Sequence, residues 1–197
     1  MLRRTLDRLA EATTFAETIV LGPGEAGPEF QAALAGCSNT LGPLRVMAGG
    51  QTRQQSVAIG VAALQSQADV VCVHDAARPL VAPSTVRLVL EAARFFGAAT
   101  AAARPTDSVR QDLAEGGSRA LDRSGLWLVE TPQAFGRDLL EKAHRAASAA
   151  GLAYTDDASL VEALGVRIQM VESEGRNLKV TIEADLLVAA TMLGVAR

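Results

Sequence analysis

The stretch His74-Asp75-Ala76-Ala77-Arg78-Pro79 carries the densest set of chemically useful groups in this 197-residue chain. It directly follows Val70-Val71-Cys72-Val73, the most apolar strand-like run in the sequence. In open α/β sheets, ligands bind beyond the carboxyl ends of the strands. At such a place Asp75 can accept from a sugar hydroxyl or help hold a metal-bound phosphate. Arg78 can contact an anion or hold the loop, and the two alanines let a ligand approach the backbone. The plainer alternative has Asp75 and Arg78 pair with each other and cap the next helix. His74, a lone histidine, reads as a packed and hydrogen-bonded residue rather than a catalyst.

Four further constellations can bear chemistry, each with a plainer reading beside it. In Gly49-Gly50-Gln51-Thr52-Arg53-Gln54-Gln55-Ser56, the glycines permit close approach to a flat base, whose polar edge Gln51 and Ser56 can read. The same residues also suit a turn followed by a helix N-cap. Thr106-Asp107-Ser108 and Asp122-Arg123-Ser124-Gly125-Leu126-Trp127 offer Arg123 as a bidentate phosphate ligand, or as one half of a weak surface ion pair. Trp127 suits packing in a core or an interface. Thr131-Pro132-Gln133 and Thr155-Asp156-Asp157-Ala158-Ser159 form the next group, in which Thr155 or Asp156 makes a good N-cap. In Asn177-Leu178-Lys179-Val180-Thr181, the lysine can neutralise phosphate charge during transfer, or simply be solvated.

The elements that must position these groups follow from periodicity. Leu2, Leu6 and Leu9 recur at helical spacing, so the chain opens on an amphipathic helix. Strands are expected over residues 18–21, 44–47, 69–73, 98–103 and 166–171, with a turn at Gly22-Pro23-Gly24. Helices are expected over residues 29–35, 52–65, 83–96, 137–149, 156–164 and 183–193, Pro83 suiting a first helical turn. The apolar run over residues 69–73 reads as a strand buried on both faces, as in a parallel sheet. The alternation argues for an open α/β sheet in one domain. Residues 106–129 break the pattern and read as two short strands about Gly116-Gly117, projecting from the body. A nucleotide-binding domain of this class usually begins on a strand feeding a glycine-rich loop, and no such unit is evident.

Composition narrows the partners. With 19 basic and 22 acidic residues the formal charge is -3, and no tract suggests nucleic acid or a membrane face. No apolar run approaches the length of a membrane span, and Met1-Leu2-Arg3-Arg4-Thr5 lacks the apolar core of a signal peptide. Two cysteines, Cys37 and Cys72, make neither a zinc site nor a disulfide framework, and a cytoplasmic location is expected.

Taken in order, Gly49-Gly50 with Arg53 and Ser56, then HDAARP, DRSGLW, TPQAF, TDDAS and NLKVT, the chain resembles the 2-C-methyl-D-erythritol 4-phosphate cytidylyltransferases along essentially its whole length. The resemblance implies a Rossmann-like α/β nucleotidyltransferase domain over residues 1–197, with a projecting β-arm at about residues 106–128. It implies cytidylyl transfer from CTP to methylerythritol phosphate with release of pyrophosphate, a magnesium requirement, and a place in isoprenoid precursor synthesis. Gly50, Gln51 and Ser56 match the cytosine-binding segment, Gln51 at a variable position. Asp75 and Ala76 match the pair contacting the ribose and substrate, and Arg78 matches the arginine shaping that loop. Ser108 stands where threonine is common in the substrate-binding arm. Arg123 matches the methylerythritol phosphate ligand, and Thr131 and Thr155 match substrate-side threonines. Lys179 matches the lysine reaching the phosphates, so Lys179 and Asp75 are the expected catalytic residues. No residue is expected to be a dedicated metal ligand. The arm is expected to cross to a second subunit of a homodimer.

The same resemblance implies a departure. The family begins with a strand and a glycine-rich loop that wraps the CTP phosphates, whereas here Met1 aligns with the helix after them. A βα unit of roughly thirty residues is expected to be missing, either because Met1 is an internal methionine or because the chain is short. The first strand of the sheet is then absent, and the chain alone is expected to be inactive or impaired. Two rival readings stand beside the enzyme: a non-catalytic, substrate-binding and dimerising remnant, and a related ribitol phosphate cytidylyltransferase.

Overall fold

The computed structural model describes residues 1–22, 30, 32 and 34–194. Most of the turn expected at Gly22-Pro23-Gly24, and residues 29, 31 and 33 of the helix expected over residues 29–35, fall outside them. Helix α1 (Leu2–Ala10) forms where the leucine stripe predicts, and its inner residue Leu6 is buried. Two polar residues of α1 reach toward the loops after the third strand. Thr5 Oγ1 donates to the Ala76 carbonyl at 2.8 Å, and Arg8 Nε donates to the Val81 carbonyl at 3.0 Å.

Strands β1 (Thr18–Gly22) and β2 (Leu44–Ala48) pair in parallel, with Val20 opposite Val46. Helix α2 (Arg53–Ala62) starts at Thr52, whose hydroxyl accepts from the Gln55 N–H. After β3 (Val70–Val73), helix α3 (Pro83–Phe96) opens on Pro83 and closes at Gly97, whose φ of 87° is open to glycine at no steric cost. Strand β4 (Ala98–Ala103) follows directly. The hairpin β5 (Arg110–Asp112) and β6 (Ser118–Ala120) turns through Gly116 and Gly117. Then come β7 (Leu128–Gly136), α4 (Arg137–Ala150), α5 (Asp157–Glu162), β8 (Gln169–Glu172) and α6 (Glu183–Met192).

The main sheet has the order β3-β7-β4-β8. Its centre departs from the expected parallel arrangement. Strand β7, which the sequence pattern leaves unassigned, lies between β3 and β4 and is antiparallel to both. Its proline argues against a central strand, since proline cannot donate to a ladder. The structure accommodates it with an irregularity: Thr100 pairs with Gln133 and Ala102 with Val129, so residues 130–132 bulge opposite Ala101. Strand β8 is also shorter than the 166–171 run suggests.

Alternate residues of β4 and β7 feed two cores. Ala98 and Phe135 pack with Leu140, Leu160 and Val161 from α4 and α5 on one face. Ala99 and Ala134 pack with Val86 and Val89 of α3 on the other. This period-two division makes a sheet covered on both sides by helices.

Strand β3 is half-buried and, among the described residues, pairs only with β7, so it is not the doubly buried parallel strand its composition suggests. Its other side faces a cavity of about 1040 Å³, across which lies β1. The two sheets therefore turn one unpaired edge each toward a shared apolar cavity. Cys72 lines that cavity.

Phe135 is completely buried. Phe135→Ala is expected to destabilise the chain by about 3–5 kcal/mol through lost burial and a residual cavity, as read from urea unfolding followed by circular dichroism.

Candidate active site

The loop after β3 is held from three directions. The Asp75 N–H donates to Thr131 Oγ1 of β7 at 3.0 Å. The Ala76 carbonyl is held by Thr5, and the Ala77 carbonyl accepts from the Val180 N–H at 2.8 Å. Arg78 Nη1 donates to the Asn177 carbonyl at 2.6 Å, so the loop and residues 177–180 are tied together. The side chain of Asn177 in turn donates to Glu130 Oε2 and to the Thr131 carbonyl.

Charged groups converge on Asp75. Its Oδ2 lies 2.9 Å from Lys179 Nζ and 3.8 Å from Arg78 Nε, and its Oδ1 accepts from Arg53 Nε at 3.2 Å. Burial pushes the Asp75 carboxyl up, but Lys179 and Arg53 more than offset this and hold it below the ordinary carboxylate value. Asp75 does not cap the next helix, whose N-cap is Ala82. Lys179 is 45% exposed, against 14% for Asp75, so the ammonium is the accessible member of the pair.

His74 fits its plainer reading. Its Nδ1 lies 3.1 Å from Thr131 Oγ1 and its Nε2 lies 3.3 Å from the Arg78 carbonyl. Burial lowers its pKa to about 4, so the ring is neutral at physiological pH.

The glycine segment sits beside this loop on the N-terminal end of α2. The Gly50 N–H donates to Ser56 Oγ at 3.0 Å, and Ser56 Oγ donates back to the Thr52 carbonyl. A β-carbon on Gly50 would come within 2.4 Å of Gln55 Cβ, so glycine is required by the packing itself. The segment is thus the capped turn of the plainer reading, with Gly50 and Ser56 hydrogen-bonded to each other within it. Gln51 is exposed, and its N–H is satisfied by Gln55 Oε1.

A second tier was not legible in the motifs. Gln133 is buried, and its Oε1 accepts from the N–H groups of both Asp157 and Ala158 at the start of α5. Asp156, rather than Thr155, is the N-cap of that helix, and Thr155 stays exposed beside it. Arg53 joins the tiers, with Nη1 donating to buried Asp157 Oδ2 at 2.7 Å. The only hint in the sequence was the doubled acid Asp156-Asp157.

Ser108 and Arg123 lie apart on the arm. Both are exposed, and Arg123 donates to the Thr106 carbonyl. Trp127 is not a core residue: the Arg104 guanidinium stacks over its ring at 3.4 Å from the centroid. Among the described residues, no contact brings Ser108 or Arg123 to the Asp75 cluster within this chain.

The sequence profile of the family described as IspD, 2-C-methyl-D-erythritol 4-phosphate cytidylyltransferase, matches residues 1–195. The chain belongs to that family. It is 43% identical over 149 residues to the cytidylyltransferase of that description from Pelotomaculum thermopropionicum, a stretch covering 75% of this chain and 63% of the relative. The chain thus spans less than two thirds of that relative's length. Among solved structures, the 2-C-methyl-D-erythritol 4-phosphate cytidylyltransferase from Thermus thermophilus superposes with a TM-score of 0.81 at 36% identity, over 98% of this chain and 87% of that one. The 4-diphosphocytidyl-2C-methyl-D-erythritol synthase from Anaerococcus prevotii superposes with a TM-score of 0.90 at 25% identity, over 98% and 85%. These matches support the Rossmann-like α/β reading of the fold.

A magnesium ion, which the family implies, finds no ready cage here. Among the described residues no group of three or more His, Cys, Asp or Glu side chains could hold a metal. The Asp75 carboxylate is already opposed by Arg53, Arg78 and Lys179. These protein residues alone do not make a cation site.

The lowered pKa of His74 sets a pH dependence. The folded state resists protonation down to about 4, while the unfolded chain takes the proton near 6.5. Stability from this group is complete above 6.5 and is lost as pH falls toward 4, by roughly 3 kcal/mol in full. His74→Gln is expected to flatten the chemical-denaturation stability profile between pH 6.5 and 4 relative to the parent.

Proposed function

We propose that the chain transfers a cytidylyl group from CTP to 2-C-methyl-D-erythritol 4-phosphate, releasing pyrophosphate. The observation that carries this reading is the Asp75 cluster. An ionised carboxylate, an accessible lysine and a glycine turn meet beyond the end of β3, in a chain whose family is established. In the reaction an oxygen of the substrate phosphate attacks the α-phosphorus of CTP. That P–O bond forms as the bond to the bridging oxygen of pyrophosphate breaks, and pyrophosphate leaves with the electron pair.

The protein's task in such a displacement is positioning and neutralisation of charge. Gly50, Gln51 and Ser56 take the cytosine, the backbone edge at Gly50 admitting a flat ring. Asp75 and Ala76 meet the ribose and substrate, and Arg78 fixes their loop. Lys179 leaves Asp75 to neutralise phosphate. A divalent cation, which the family implies, would have to be held by the nucleotide phosphates rather than by the described side chains, and would there neutralise charge. Thr131 and Thr155 lie on the substrate side.

Ser108 and Arg123 complete the site of a second copy of the chain. The exposed β5–β6 hairpin, whose strands pair only with each other among the described residues, supports this homodimer. The 197-residue chain by itself is proposed to be impaired, releasing pyrophosphate slowly.

The test is pyrophosphate release under single-turnover conditions, with CTP, magnesium and either methylerythritol phosphate or ribitol phosphate. Slow release with methylerythritol phosphate is expected, and Lys179→Ala is expected to reduce it by on the order of 100-fold. Preference for ribitol phosphate, or binding of substrate with no release at any enzyme concentration, would overturn the assignment.

A further inference from the structure

Three carboxylates and three cations make up the interior of the site, and they divide into pairs. Arg78 Nη1 lies 3.9 Å from Glu130 Oε1, Lys179 meets Asp75 at 2.9 Å, and Arg53 meets Asp157 at 2.7 Å. Of these groups Asp157 is the deepest, its side chain only 1% exposed, while Arg53 is 31% exposed. On its far side, Asp157 Oδ1 lies 3.3 Å from Nε2 of buried His144 in α4. Its backbone N–H is fixed by Gln133. Asp157 is therefore held in place, and it tethers one arm of the Arg53 fork.

The other arm of the fork reaches Asp75, and it does so through a different oxygen from the one Lys179 uses. Arg53 Nε bonds Oδ1, whereas Lys179 bonds Oδ2. This separation has a consequence for any anion that draws Lys179 away. Asp75, 14% exposed, would otherwise be left as a nearly buried carboxylate with only Arg78 at 3.8 Å, and such a group protonates or moves. With Arg53 in place, the Oδ1 bond survives the loss of the Oδ2 partner.

We propose that Arg53 is a positioning residue: anchored to Asp157, it keeps the Asp75 carboxylate ionised and in place when Lys179 departs to meet an anionic ligand. Lysine at position 53 would do this only in part, because its compact ammonium lacks the planar fork that spans two carboxylates. The groups facing Asp75 are Arg53 from α2, His74 and Arg78 from its own loop, Thr131 from β7, and Lys179 from the segment before α6. Asp157 and Glu130 stand behind the two arginines.

The departure of Lys179 rests on the cytidylyltransferase reading, whereas the hold of Arg53 on Asp75 does not. The experiment is a carbon-13 NMR titration of the Asp75 carboxyl in ligand-free protein, with melting temperatures recorded to confirm folding. In Lys179→Gln, Asp75 is expected still to titrate below the ordinary aspartate value. In Lys179→Gln with Arg53→Gln, it is expected to rise above that value, because burial is then opposed only by Arg78. Lys179→Gln with Arg53→Lys is expected to fall between them. Identical titrations in all three would overturn the proposal.

Calorimetric binding of CTP to the parent and to Arg53→Gln is the second arm. A weakening on the order of ten-fold is expected from loss of a charged hydrogen bond. Unchanged affinity in Arg53→Gln would overturn the release step. Failure of the parent to bind CTP, with the Asp75 titrations as expected, would uphold the positioning role and sink the cytidylyltransferase reading instead.

Discussion

A carboxylate that is 1% exposed has to be answered by cations and hydrogen bonds, and Asp157 imposes that demand on the whole site. Its side chain draws Arg53 from α2 and faces His144 from α4, while its N–H is held by Gln133 from β7. One residue at the start of α5 thus ties together α2, α4 and β7, the first of them from 104 residues away. The glycine turn that opens α2 and the loop after β3 are brought to a fixed separation through Arg53. Both segments proposed to take the nucleotide inherit their placement from this buried charge.

Strand β7 does the complementary work. It is the middle strand between β3 and β4, and its bulge releases residues 130–132 from the ladder with β4. The freed groups are then used locally. The Glu130 carbonyl accepts from Thr100 Oγ1, and the Thr131 carbonyl accepts from Asn177 Nδ2. A regular strand would have spent those backbone positions on pairing. The irregularity is how a core element also carries polar groups to the sheet's end.

The cavity between β1 and β3 stands in contrast to this tightly satisfied region. Both facing edges belong to strands with a partner on one side only, and the walls are largely aliphatic. Edges of that kind are ordinarily covered, paired or blunted with charge. The loop after β3 borders the same cavity, through His74, Asp75 and Ala76. The site is therefore braced firmly from the β7 side and only by α1 and α2 from the other.

Much was legible from local pattern. The helices at Leu2–Ala10, Pro83–Phe96 and Arg137–Ala150, the hairpin about Gly116-Gly117, and the HDAARP loop at a strand end all follow from periodicity, proline and glycine placement. The family, too, was legible in the order of short motifs, each weak alone. What the chain's linear order could not reveal was β7, because Pro132 and the polar residues beside it mask a central strand. Nor could it reveal the Arg53–Asp157 bond, which joins residues 104 apart. Local propensity is set by neighbours within a helical turn or a strand pair, so it determines which elements form. The partner of a buried charge is set by which elements pack together, and that choice is made only when the chain closes around it.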